Sequence, residues 1–432
     1  MRIALISEHA SPLAQAGGID AGGQNIYVAH VARCLAAQGH GVDVLTRRDE
    51  PTLPGVMEWQ PRLRVLHLEA GPPEFVPKES LLQHMPAFAA SASRWFAHNP
   101  AYDVQHANFF MSGWVGLALR RRFGVPLATT FHALGLVRHE HQGDADQFPP
   151  ERVAIERSVV HGSDCLIAEC PQDAADLTRL YGARPEQIVT VPCGVDTDEF
   201  RPGDRQRARA RLGLGRREFI VLQLGRLVPR KGIDNVVRAL ALLPASLPAR
   251  LVVVGGGSPE PDEAVTPEIG RLRALAASLG VAERVHFTGR RERHQLRDWY
   301  VAADVFATTP WYEPFGITPL EAMACATPVI GSAVGGIAHT VVDGITGFLV
   351  PPRDPQALAA RLLFLQANPE LAAAVGQAGV RRVREGFTWE RVSHLLATQY
   401  ALLRHEHDGL PRPAVRPLAG GIEPLRGLGA TP

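Results

Sequence analysis

Two basic and two acidic residues of this chain stand where chemistry on a charged, hydroxylated ligand could be done. Arg226 and Lys231, in Gly225-Arg226-Leu227-Val228-Pro229-Arg230-Lys231-Gly232, lie five positions apart between an apolar run and a helical pattern. A guanidinium with two parallel donors beside a mobile ammonium suits a diphosphate whose charge grows as it leaves. Glu313 and Glu321 belong to Trp311-Tyr312-Glu313-Pro314-Phe315-Gly316-Ile317-Thr318-Pro319-Leu320-Glu321-Ala322, a loop and the helix it starts. Free N–H groups around Phe315, Gly316, Ile317 and Thr318 can receive phosphate oxygens, and Pro319 costs little in a first turn whose N–H groups have no helical partner. A carboxylate repels phosphate, so Glu313 and Glu321 point to hydroxyls, on a sugar and on a ribose. Taken singly, each cluster also reads as an ordinary basic loop or solvated helix face.

A third feature is glycine-rich. Gly17-Gly18-Ile19-Asp20-Ala21-Gly22-Gly23-Gln24-Asn25 follows the first apolar run and leads into a helix from Ile26 to Gln38. Gly22 and Gly23 let the backbone approach a ligand, and the helix N-terminus favours an anion. The loop is neither G-x-G-x-x-G nor a P-loop with its Lys-Ser/Thr pair, so the dinucleotide and ATPase readings lose their diagnostic residues. His132, in Thr129-Thr130-Phe131-His132-Ala133, ends another run, where a lone histidine can also be purely structural. His139 and His141 follow, without the further well-spaced ligand a zinc site needs.

These residues need strands that end beside one another. Short Val-, Ile- and Leu-rich runs, each followed by a helical pattern, cover Arg2 to Ser7, Gly41 to Thr46, Arg64 to Glu69, Val104 to Asn108, Pro126 to His132, Asp164 to Cys170 and Ile188 to Val195. A second series covers Phe219 to Leu227, Arg250 to Gly256, Val285 to Gly289, Asp304 to Thr309, Pro328 to Ser332 and Gly347 to Val350. Runs apolar on both faces predict parallel sheets covered by helices, hence an α/β chain with two doubly wound, Rossmann-like domains facing one cleft. The expected boundaries are 1–201 for an acceptor-side domain and 202–388 for a donor domain. The charged stretch from Pro202 to Glu218 reads as a solvated segment or a hinge. A helix over 389–407 packs on the second domain or crosses back to the first. Five Gly and five Pro in 408–432 predict a disordered tail.

Composition narrows the partners. The 432 residues carry 45 Lys+Arg against 44 Asp+Glu, a formal net charge of +1, which offers no polyelectrolyte field for nucleic acid or an anionic membrane. Cys34, Cys165, Cys170, Cys193 and Cys325 form no C-x-x-C pair, so neither a disulfide framework nor a zinc site is indicated. Met1 to Ser7 is too short for a signal-peptide core, and no run approaches the ~18 apolar residues of a membrane helix. A cytoplasmic protein is expected.

Arg226 with Lys231, and Glu313 with Glu321 inside EPFGITPLEAMACATPVIGSAVGG, together with the glycine-rich opening, the His132 strand end and VVDGITGFLVPPRDP, resemble the retaining family 4 glycosyltransferases of GT-B fold over residues 1 to 405. The resemblance implies a metal-independent transfer from a nucleoside-diphosphate sugar, UDP-linked, to a hydroxyl of a sugar, a sugar phosphate or a related acceptor. It gives the donor diphosphate to Arg226 and Lys231, the ribose to Glu321 and the moving sugar to Glu313, and it sets His132 by the anomeric carbon and the 6-hydroxyl. No protein nucleophile is implied; the leaving diphosphate takes the acceptor's proton on the face of attack.

Within the family the chain is most similar to the sucrose-phosphate synthases and the D-inositol 3-phosphate glycosyltransferases. The match in the opening loop includes Gly22, Gly23 and Asn25, and Lys78 and Arg152 match residues that hold an acceptor phosphate, with Glu156 following. Phe109 and Ala133 stand where the inositol-phosphate enzymes carry Tyr and Thr, so two hydroxyl donors to that phosphate are missing. A nucleotide-sugar epimerase of similar fold, or a non-catalytic nucleotide-sugar binding protein, is the alternative; nucleotide release that depends on an acceptor separates transfer from both.

Overall fold

The computed structural model describes residues 1–14 and 22–409. Gly17 to Ala21 of the opening loop, and the tail from residue 410, therefore lie outside the described residues. The first series of apolar runs forms an eight-stranded sheet from β1 (Arg2–Ile6), β2 (Gly41–Arg47), β3 (Val56–Gln60), β4 (Leu63–Leu68), β5 (Val104–Asn108), β6 (Leu127–Thr130), β7 (Cys165–Ala168) and β8 (Ile188–Thr190). Their order is β3-β4-β2-β1-β5-β6-β7-β8. Only β3 runs antiparallel to its neighbour. β1 shows why the run is apolar throughout: Ile3 and Leu5 enter one core while Ala4 and Ile6 enter the core on the opposite face.

The second sheet contains β9 (Phe219–Leu224), β10 (Ala249–Val254), β11 (Val285–Gly289), β12 (Val305–Thr308), β13 (Val329–Ser332) and β14 (Phe348–Val350). All its pairs are parallel, in the order β11-β10-β9-β12-β13-β14. Both sheets therefore end their central strands in loops that meet across one cleft.

The segment after Pro202 is not a free hinge. Its helix, Arg205–Leu212, is fixed to the second half through Arg209, which is buried, reaches the carbonyls of Ala302 and Glu218 and pairs with Asp304 at 2.6 Å. The final helix, Trp389–His407, crosses back to the first half. Val195 N–H donates to the Phe387 carbonyl at 2.8 Å, the Trp389 ring stacks parallel on His30 with centroids 5.1 Å apart, and the Tyr400 hydroxyl meets His106 Nδ1 at 2.6 Å. One core runs continuously from β1 through both halves to Leu396 and Tyr400. No helix among the described residues is long and apolar enough to cross a membrane.

Candidate active site

The basic loop after β9 is held by close approach to the end of β12. Gly232 has φ of 63°, and a Cβ there would fall 1.9 Å from the Thr309 carbonyl oxygen, so no other residue fits without moving backbone. Thr309 Oγ1 donates to the Gly232 carbonyl at 2.9 Å, and Trp311 N–H donates to that of Arg230 at 2.9 Å. The consequence is that Lys231 Nζ forms an ion pair with Glu313. Burial pulls the lysine's proton affinity down, Glu313 partly restores it, and Arg230 and Arg226 lower it again. Arg226 itself is exposed.

Glu313 is fixed from its other side by the Gly335-Gly336 pair. A Cβ on Gly335 would lie 1.9 Å from the Glu313 carbonyl oxygen and one on Gly336 2.2 Å from that of Phe315, while Gly336 N–H donates to Glu313 at 3.1 Å. The chain then turns at Gly316, φ 85°, into the helix Ile317–Ala324, leaving the first N–H groups at Ile317 and Thr318 without helical acceptors. Phe315 is buried beneath this turn.

Opposite stands the N-terminus of the helix Gly23–Ala37. A Cβ on Gly23 would lie 3.7 Å from Ile317 Cδ1, and one on Gly22 would meet nothing within 4 Å. Two helix N-termini thus converge on one space, with Lys231 beside it. Both bring partial positive charge, which suits an anion with more than one phosphate.

Glu321 is buried, with Oε1 receiving Arg293 Nη1 at 2.9 Å and Oε2 receiving the Tyr300 hydroxyl at 2.8 Å. Arg293 also pairs with Glu199 at 2.8 Å, and its Nη2 is buried without a hydrogen-bond partner. Sequence reasoning missed Arg293, Tyr300 and Glu199. Arg293 and Tyr300 are seven apart on the helix Arg293–Ala302, a spacing that shows one face but not what the face meets.

His132 lies at the end of β6, its Nδ1 3.0 Å from Glu169 and its Nε2 3.0 Å from Asn108. The sequence marked neither partner. Glu169 follows β7, and Cys170 Sγ donates to the Pro314 carbonyl at 3.3 Å, tying this cluster to the Glu313 loop. A cavity of about 490 Å³ opens here, lined among others by Cys170, Asp173, His141, Tyr312 and Glu313. His141 stacks on the Tyr312 ring with centroids 5.0 Å apart. Among the described residues no group of His, Cys, Asp and Glu is placed to hold a metal ion.

Asp173 yields a stability prediction. Burial, then the Glu169 charge, push its carboxyl up to about 7. In the unfolded chain it ionises near 4. The folded state therefore holds a proton that the unfolded state loses, so this group's contribution to stability falls as pH climbs from about 4 to about 7 and is flat above. Asp173→Asn should leave stability near pH 5 little changed and raise it at pH 8 by on the order of 2 kcal/mol. Denaturant midpoints at the two pH values test this, and equal pH dependence in both proteins would refute it.

The expected acceptor residues do not share one cavity. Asn25 and Lys78 line a smaller one of about 70 Å³ with Glu8, His9, Arg47 and Phe75. Asn25 already works structurally: its Oδ1 accepts from Gly22 N–H at 2.9 Å and its Nδ2 donates to Ser11 at 3.0 Å. Lys78 lies 3.4 Å from Glu79. Arg152 is buried elsewhere, paired with Glu156 at 2.7 Å, with its guanidinium carbon 4.4 to 5.1 Å from the ring centroids of Phe148, Phe110 and Phe109. The Phe109 ring lies between Arg152 and the smaller cavity, 5.0 Å from His9.

Comparison with known proteins gives the family. Residues 21–199 match the model of Glycosyltransferase Family 4, and residues 204–382 that of Glycosyl transferases group 1. A D-inositol 3-phosphate glycosyltransferase from Geodermatophilus obscurus is 40% identical over 440 residues, covering 99% of this chain and 96% of the relative. Among solved structures, a sucrose-phosphate synthase from Thermosynechococcus elongatus is 38% identical with a TM-score of 0.85, covering 93% of this chain and 98% of that one. HepE of Anabaena, solved in complex with UDP-glucose, shares the fold at 20% identity and a TM-score of 0.72, covering 93% and 99%. With two family models spanning both halves and relatives this similar along their whole length, the chain belongs to the family 4 glycosyltransferases of GT-B fold and is a glycosyltransferase.

Proposed function

We propose that this glycosyltransferase moves a hexosyl group, with retention, from UDP-glucose or a close analogue to a hydroxyl of a sugar phosphate in the cytoplasm. The observation that carries the reading is the convergence of the Gly23 and Ile317 helix N-termini beside Lys231, an anion site at the meeting of the two halves. Gly22, Gly23, Arg226, Lys231, Phe315, Gly316, Ile317 and Thr318 then receive the diphosphate and sugar, Glu313 the sugar hydroxyls and Glu321 the ribose. The C1–phosphate bond breaks, the acceptor oxygen bonds C1 on the same face, and the acceptor's proton passes to the leaving diphosphate. Lys231 and Arg226 stabilise the charge that forms there. The UDP-glucose complex of HepE supports the donor class, and the Lys78 cavity supports a phosphorylated acceptor. Five unpaired thiols agree with a reducing compartment.

A specific observation weighs on the acceptor. Phe109 and Ala133 offer no side-chain hydroxyl, which weighs against inositol phosphate and leaves another sugar phosphate, the reading adopted, or an unphosphorylated sugar; inositol phosphate, favoured by the similarity to the D-inositol 3-phosphate glycosyltransferases, is the second reading. The test is nucleotide release from UDP-, ADP- and GDP-sugars, with and without hexose phosphates, inositol phosphate and their unphosphorylated forms. Release that needs no acceptor would refute transfer, and equal use of phosphorylated and unphosphorylated acceptors would refute the acceptor class.

The ribose assignment has its own test. Glu321→Gln keeps the shape and one acceptor oxygen but loses the charge that strengthens bonds to hydroxyls and neutralises Arg293. Nucleotide affinity should fall about 10- to 100-fold, the scale of one charge-assisted hydrogen bond. Calorimetry showing unchanged UDP affinity would remove Glu321 from the ribose site.

A further inference from the structure

His132 holds φ of 57°, a left-handed conformation uncommon outside glycine, and its side chain is 10% exposed. What its ring faces determines its protonation. Nδ1 meets Glu169 Oε1, which can only accept, at 3.0 Å. Nε2 meets Asn108 Oδ1 at 3.0 Å. The orientation of that amide is set by its other end: Asn108 Nδ2 points at the carbonyls of Ile6 and His106, at 3.4 and 3.3 Å, so the oxygen is turned to His132. A neutral imidazole would put a bare lone pair against one of two acceptors. Only the doubly protonated ring satisfies both.

The neighbouring His106 shows the contrast. It faces two hydroxyls, Thr130 Oγ1 at 2.8 Å and Tyr400 at 2.6 Å, which can donate or accept, and burial, then the His132 charge, push it down to about 3. Glu169 is buried, which pushes its carboxyl up, yet the His132 charge, their hydrogen bond and the Cys193 thiol at 3.0 Å hold it below the usual carboxylate range. Among the described residues Tyr27 also lies against the ring, edge-on with centroids 4.8 Å apart. Asp173 reaches the cluster through Glu169, whose N–H it accepts at 3.0 Å.

We propose that Glu169 is a positioning residue: with Asn108 it clamps His132 as a doubly donating imidazolium at the end of β6, so that His132 serves the transfer site by placement and charge and exchanges no proton with substrate. The functional half of this rests on the proposed location of the moving sugar beside His132. With both N–H bonds committed to the protein, the ring has no lone pair for the acceptor's proton, which agrees with the leaving diphosphate as its destination. Because Cys170, next to Glu169, also bonds the Pro314 carbonyl, the clamp lies against the loop that carries Glu313.

The test has a readout independent of turnover. In ¹⁵N-histidine-labelled free protein near neutral pH, both His132 ring nitrogens are expected to show the protonated chemical shift. In Glu169→Gln, which keeps the size and an acceptor oxygen, one nitrogen should lose its proton at the same pH. Turnover should then fall about 10- to 100-fold, the scale of one charge-assisted bond, with KM for the donor within about twofold. An unprotonated nitrogen in the wild-type spectrum overturns the clamp whether or not the variant folds. An unchanged spectrum, or unchanged turnover, in a folded Glu169→Gln overturns it as well. If no donor and acceptor pair gives transfer, the proposed function fails while the spectrum still decides the clamp.

Discussion

Lys231→Ala is expected to lower turnover by about 100- to 1,000-fold while affinity for the bare nucleoside stays near that of the wild type. Two effects add. The ammonium is aimed at the space between the two helix N-termini, where charge grows as the diphosphate leaves, so its loss falls on the transition state more than on the ground state. Its removal also frees Glu313, which now sits as an unanswered carboxylate next to that same charge. Lys231→Arg should recover only part of the rate, because Gly232 and Thr309 hold the loop too closely for a longer planar group to take the same position. Steady-state kinetics with UDP-glucose, beside calorimetric titration of uridine, separate rate from binding. Near-normal turnover in Lys231→Ala would remove this residue from the donor site, and an equal loss of uridine affinity would mean that the loop had collapsed.

How much of this arrangement is legible in the sequence depends on whether a residue's partner is near in the chain. The parallel strands are legible because each is buried on both faces: every predicted run overlaps an observed strand. β3 is the exception. It is the antiparallel edge, and Val56, Met57 and Glu58 are exposed, so it leaves no apolar run to detect. The basic loop and the Glu313 to Glu321 stretch are legible because turn, glycine and helix start are contiguous. The Gly335-Gly336 pair closes the sequence stretch that begins at Glu313, but its task, a backbone contact with Glu313 and Phe315, shows only once β13 lies beside β12.

Long-range pairs were not legible. Glu169 meets His132 across 37 residues and Asn108 meets it across 24, and Arg293 reaches both Glu199 and Glu321. Each is a polar residue at a strand end or on a helix with nothing local to mark its partner. The crossing of the last helix was undecidable for the same reason: Trp389 and Tyr400 look like any apolar helix face until His30 and His106 are found against them.

Arg152 carries the other large expected effect. As a cation matching a phosphate-binding position it reads as an acceptor residue, yet here its charge is already answered inside the protein by Glu156. Glu156 is fully buried and also receives Gly135 N–H, at 3.0 Å to each oxygen, and the Tyr181 hydroxyl. Arg152→Ala would strand that carboxylate with neutral donors only and empty the space between Phe109, Phe110 and Phe148. Breaking a buried pair from one side typically costs about 3–5 kcal/mol. The urea midpoint should therefore drop sharply, and any loss of acceptor affinity in this variant would be confounded with damage to the fold. The double change Arg152→Met with Glu156→Gln removes both charges and should recover most of the stability, because the penalty lies in the unpaired charge and not in the absent pair. Acceptor binding is then read in the stable double variant and, separately, in Lys78→Ala. If the double variant keeps its preference for a phosphorylated acceptor and Lys78→Ala loses it, the phosphate is held at the Lys78 cavity and Arg152 is a pillar of the fold; an unchanged urea midpoint in Arg152→Ala would show instead that the buried pair contributes nothing to stability and that its cation is free to serve a ligand.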